Sequence, residues 1–195
     1  MNRQQQKENT RRKLLDTALE VFAQNGITAT RMSDIAEAAG VSHGTVFLHF
    51  ETQDALISAV IEDFGFRMAS RTHELTETSG SLREVLAAHL RGIREQEGFY
   101  TRLVIESNQL PPAARNALIS IQSAVSFHIS QAAQREMDEG SIKPMPVALL
   151  FNTWVGLVHY YLSNGDLFSP GKSVIEICGP VLLDHFTGLI STKVR

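Results

Sequence analysis

TRMSDIAEAAGVSHGTVFLHF, residues 30–50, reads as two short helices joined by a tight turn. Ile35, Ala36 and Ala39 recur at helical spacing on one face, and Gly40 stands where the first helix must end in a left-handed residue that glycine adopts at little cost. Val41 fills the joint, and Ser42 is a good N-cap for the next helix, so only a few residues separate helix end from helix start. That is the connection length of a helix-turn-helix. The second helix opens with His43, Gly44 and Thr45. Small residues there let a helix approach a DNA backbone closely, and His and Thr hydrogen-bond to base edges or phosphates. His43, Gly44, Thr45 and, one turn on, His49 are therefore the candidate base readers.

On these residues the chain resembles the TetR/AcrR-type transcriptional regulators. The resemblance runs through Asp34-Ile35-Ala36, Ala39-Gly40-Val41-Ser42, Gly44-Thr45-Val46-Phe47, His49-Phe50 and Ala55-Leu56, and is dense over residues 10–60. It implies an all-α fold, DNA binding, an effector-binding C-terminal domain and a four-helix dimer interface built from the last two helices of each subunit. Phe47 stands where the family usually carries a phosphate-touching Tyr, and Gln53 where it usually carries a Lys. Both positions are phosphate-contact candidates by resemblance, and both have lost the group that makes the contact.

The whole chain of 195 residues carries a net charge of only −3, so affinity for a polyanion must come from local charge. Arg3, Lys7, Arg11, Arg12 and Lys13 stand against Glu8 alone in residues 1–13. This segment reads as a basic arm placed beside the reading motif, or alternatively as a solvated, frayed terminus. Cys178 is the only cysteine; no intrachain disulfide is possible, and a reducing cytoplasm is the expected compartment. No apolar leader opens the sequence, and the longest apolar stretch, residues 147–162, is interrupted by Asn152, Thr153 and His159 and is too short to span a bilayer.

Along the chain, Leu15, Ala18, Leu19 and Phe22 predict a brace helix over residues 10–25, stopped at Asn25-Gly26 and carrying Arg11, Arg12 and Lys13 toward DNA phosphates. Thr28 or Thr30 is the expected cap of the following helix, with Arg31 and Ser33 as further phosphate candidates or ordinary surface residues. Thr52 caps a long helix whose Leu56, Ile57, Val60, Ile61 and Phe64 predict a connecting element over residues 52–78. Further helices are expected over 81–98, 100–108, 112–140, 147–164 and 173–190, the last carrying Gly179-Pro180 as a kink. The predicted architecture is all-α: a three-helix reader over 1–51, the connecting helix, and a larger helical domain for effector binding and dimerisation over 79–195.

Val147, Phe151, Trp154, Val158 and Tyr161 make one apolar stripe, with Ala148, Val155 and Leu162 beside it. Such excess points to a homodimer interface involving Trp154, Val158, Tyr161 and, in the last helix, Phe186. A two-fold pair of readers on a palindromic operator of double-stranded DNA demands the same symmetry. His128, Asn152 and His159 are polar groups among apolar ones, so with Trp154 they are candidates for an effector pocket; the alternative is satisfied core or interface polar groups. An enzyme is the poorer reading. His73-Glu74-Leu75-Thr76-Glu77 lacks the second imidazole of a zinc-protease helix, and nucleophile elbow, phosphate loop and paired-cysteine site are all missing, so neither metal nor cofactor is expected. The expected function is a DNA-binding repressor released by a small molecule; the rival is a helix-turn-helix protein that contacts another protein instead of DNA.

Overall fold

The computed structural model describes residues 2–76 and 80–192, and for residues 69–76 the helical backbone. The expected end of the connecting helix at residue 78 and the His73–Glu77 side chains lie outside that description. Among the described residues the chain forms ten α-helices: α1 Arg3–Asn25, α2 Met32–Ala39, α3 His43–His49, α4 Gln53–Thr76, α5 Leu82–Glu95, α6 Glu97–Ile105, α7 Pro112–Asp138, α8 Val147–Ser163, α9 Gly165–Phe168 and α10 Val174–Ile190. A 3₁₀ turn, Ser107–Gln109, follows α6, and among the described residues the one β-like pairing is an isolated bridge between Ile142 and Ser191. None of these helices is long and apolar enough to cross a membrane.

The chain forms two compact units. The first holds residues 1–66 and 98–120. Its core gathers Leu15, Ala18, Leu19 and Phe22 from α1, Ile35, Ala36 and Ala39 from α2, Val46 from α3, and Leu56, Ile57, Val60, Ile61 and Phe64 from α4. Phe99 of α6 completes it, its ring 6.5 Å from Phe22 and 5.1 Å, edge-on, from Phe64. Helix α1 starts at Arg3, seven residues before the expected start at Thr10, so the basic segment is helix rather than loose arm. Neither Thr28 nor Thr30 caps α2. Arg31 occupies that place, its N–H donating to Asp34 Oδ2 at 2.8 Å, while the Thr30 hydroxyl donates to the Gly26 carbonyl at 2.6 Å.

The second unit holds residues 67–97 and 121–195. Helix α10 packs on α5 and α8, burying Leu182, Leu183 and Phe186 against a layer that includes Leu86, His89, Ile93, Trp154 and Val158. Ion pairs tie the surface of α5 to α10, Arg83 to Asp184 and Arg94 to Glu176. The start of α10 is capped by Ser173 and also by Glu97, whose carboxylate accepts from Val174 N at 2.7 Å and Ile175 N at 3.1 Å. Glu136 does the same for α5, accepting from Leu82 N at 2.7 Å. Helix α10 continues across Pro180, and the four-residue α9 has no apolar period that would have marked it in the sequence.

Candidate nucleic-acid interface

The turn between α2 and α3 is built as the local sequence dictates. Gly40 sits at φ 63°, ψ 39°, and Ser42 accepts from Thr45 N at 3.2 Å, opening α3. Val46 is fully buried and anchors α3 to the core, which turns the opposite face outward. His43 and Gly44 are exposed at its start. The Thr45 hydroxyl lies 2.8 Å from the Ser42 hydroxyl, so one of its hydrogen bonds is already made within the turn. Phe47 packs edge-on against His43 at 4.8 Å, and Leu48 is 74% exposed. His49 is half-buried; burial, then Lys7 and Arg11, hold its pKa below the ordinary imidazole value.

The cations divide unequally. Arg3, Lys7 and Thr10 of α1 line one open groove together with Thr45, Leu48 and His49 of α3. Arg11 lies over the Phe50 ring at 5.1 Å. Arg12 makes an ion pair with Asp63 at 2.6 Å, and with Lys13 it borders a second groove shared with Asp16 and Glu20. Periodicity directs attention to Arg11, Arg12 and Lys13; the structure adds Arg3 and Lys7 beside α3, because α1 extends a further two turns toward the N-terminus. Arg31 and Ser33 are exposed, with the Ser33 hydroxyl donating to Asp34 at 3.2 Å. Gln53 donates its amide to the Thr30 carbonyl at 2.9 Å, so this side chain fastens α4 to the loop before α2 rather than pointing free.

That loop has a second fastening, which residue patterns do not reveal. The buried Glu106 carboxylate accepts from Ile27 N at 3.2 Å, from Thr28 N at 2.8 Å and from the Thr28 hydroxyl at 2.8 Å. Gly26, at φ 94°, leaves room for it: a Cβ there would come within 2.9 Å of Glu106 Oε1.

In the second unit the polar candidates separate. Asn152 faces solvent, and His128 is half-buried beside the exposed Phe127 ring. Trp154, Val158 and Phe186, expected at a subunit interface, instead form the interior of their own subunit, at 0%, 0% and 2% exposure. The polar group of Trp154 is already engaged within the unit, its indole N–H donating to His89 Nδ1 at 3.1 Å. Burial and the neighbouring His159 drive His89 down to about 3, and burial takes His159 to about 4. Both imidazoles are therefore neutral near pH 7.

Residues 14–60 match the model of bacterial regulatory proteins of the tetR family. Over 163 residues the chain is 29% identical to the HTH-type transcriptional repressor KstR2 of Rhodococcus jostii, covering 84% of this chain and 70% of that one. It is 40% identical to the HTH-type transcriptional regulator AcrR of Shigella flexneri over 58 residues, 30% of this chain but only 27% of the regulator. Among solved structures, FadR of Bacillus subtilis, in complex with stearoyl-CoA, superposes with a TM-score of 0.76 at 19% identity, over 91% of this chain and 98% of that one.

Proposed function

We propose that this chain, which belongs to the TetR family of bacterial regulatory proteins and is a DNA-binding transcriptional regulator, represses as a homodimer on a palindromic operator and is released by a small-molecule effector. The observation that carries the reading is the outward face of α3 flanked by Arg3 and Lys7: a short reading helix with phosphate-seeking cations beside it. His43, Gly44, Thr45 and His49 face base edges, and Arg31, Ser33, Arg3 and Lys7 face the backbone. Phe47 and Gln53, each with a partner inside the protein, supply no charge there.

The partner subunit docks on the exposed faces of α8 and α10. Leu149, Thr153, Gly156 and Tyr160 make one outward stripe, Ile177, Val181 and Gly188 another, with Tyr161 at the border. A Cβ at Gly156 or Gly188 would meet nothing within 4 Å in its own subunit, so these glycines serve close approach by a neighbouring helix. The effector is apolar and uncharged over the part that enters the second unit, because that interior offers neutral His89 and His159 rather than charge. FadR's ligand, stearoyl-CoA, is a first probe of that class. Helix α4 contains residues of both units, so an effector that prefers a shifted α4 alters the separation of the two reading helices. A coupling of about 1–3 kcal/mol weakens operator binding roughly 5- to 150-fold.

The test is retention of sheared genomic DNA from the source organism by the full chain, followed by sequencing. Enrichment of fragments sharing an inverted repeat, with affinity falling steeply in salt, is the expected result. Retention without any shared sequence, or none that salt affects, favours a protein partner instead.

A further inference from the structure

We propose that Leu48 is a specificity-determining residue that reads the C5-methyl group of a thymine in the major groove. The inference rests on the reading of α3 as the DNA-reading helix. Its sequence, HGTVFLH, contains none of Arg, Lys, Asn, Gln, Asp or Glu, the side chains that make paired hydrogen bonds to a single base. Of what remains, Val46 is buried, Phe47 rests edge-on against His43, and the Thr45 hydroxyl is engaged with Ser42. Leu48 is the more exposed of the two large apolar side chains on the outer surface of α3, at 74% against 42% for Phe47. An isolated surface Leu needs no explanation. This one shares an open groove with Arg3 and Lys7, cations positioned to take the phosphates that border whatever α3 enters. In the major groove the one apolar group any base pair displays is the thymine methyl, so an outward Leu on a helix without paired hydrogen-bonding side chains discriminates thymine by contact with it.

The experiment uses the full chain and duplexes enriched from a random library. Each thymine of the enriched sequence is replaced singly by deoxyuridine, which removes the methyl and leaves every hydrogen-bonding group in place. Wild type is expected to lose about fourfold in affinity per half-site at one position, the effect of unburying one methyl. Leu48→Ala should bind the thymine and uracil duplexes equally at that position, and Leu48→Met, which retains apolar reach, should restore the preference. An enriched duplex on which no uracil substitution weakens wild type overturns the inference and leaves DNA binding intact. A methyl preference that persists in Leu48→Ala also overturns it, placing the contact on another residue. Failure of wild type to enrich any duplex removes the regulator reading itself.

Discussion

Glu106 holds the loop before α2 with a carboxylate that three donors share, and one of them, the Ile27 N–H, belongs to a fully buried residue. Glu106→Ala strands that N–H and is expected to lower stability by about 1–3 kcal/mol, read from the urea midpoint. Gly26→Ala should destabilise by a similar amount through its φ of 94° and its approach to the same carboxylate. Titration gives a second residue-level outcome. His89 and His159 are held well below 6.5, to about 3 and about 4, whereas the unfolded chain titrates near 6.5. Their stability contribution is therefore complete above pH 6.5 and is lost as pH falls toward those values; His89 alone should remove about 2 kcal/mol between pH 7 and pH 5. Denaturant midpoints across that range check it, and His89→Asn, which still offers Trp154 an acceptor, should flatten the dependence. Gly40 and Ser42 were legible in the sequence because caps obey rules local to a few residues. Glu106 was not, since its partners lie 78 and 79 positions away and a lone glutamate carries no sign of the distance.

Helix α1 shows where periodicity stops informing. Residues 3–9, RQQQKEN, have no apolar position, so they display no repeat to read, yet they are mostly strong helix formers. Asn2 accepts from Gln4 N at 3.4 Å, and Gln4–Glu8 and Gln5–Asn9 side-chain hydrogen bonds at 3.1 and 3.3 Å line the exposed turns. Neutralising Arg3 and Lys7 should weaken binding to all DNA sequences and flatten the salt slope by about one unit per contact removed. Arg12→Ala should instead cost stability, through the ion pair with Asp63, and leave the slope nearly unchanged. Salt titrations of the variants on one duplex distinguish the two; equal slopes for all of them would return the phosphate contacts to the middle of α1. The starts of α5 and α10 extend the lesson of the distant glutamate, because Glu136 and Glu97 come from other helices to cap them.

For the whole molecule, an apolar stripe on α8 was visible in the sequence, but its division between core and interface was not. Period alone marks Trp154 and Val158 as apolar and aligned; only the packing of α10 decides that they face inward while Leu149 and Tyr160 face out. Gly156→Leu is accordingly expected to favour the helix itself by about 0.5–1 kcal/mol while blocking the approach of a second α8. Sedimentation should then report monomers of undiminished thermal stability; dimers of wild-type strength would move the interface off this face. Trp154→Asp, by contrast, should unfold the unit rather than split a dimer. The burial of Trp154 also has an optical consequence, because it is the only tryptophan in the chain. Light absorbed at the red edge of the ultraviolet band is emitted by one indole, in the second unit, bonded to His89 and 5.2 Å from the Phe186 ring. The first unit, which holds the proposed reading helix, is dark at that wavelength. Any change in emission when operator is added to the unmodified protein must therefore have crossed from one unit to the other, and its size measures the communication without dye, label or known effector.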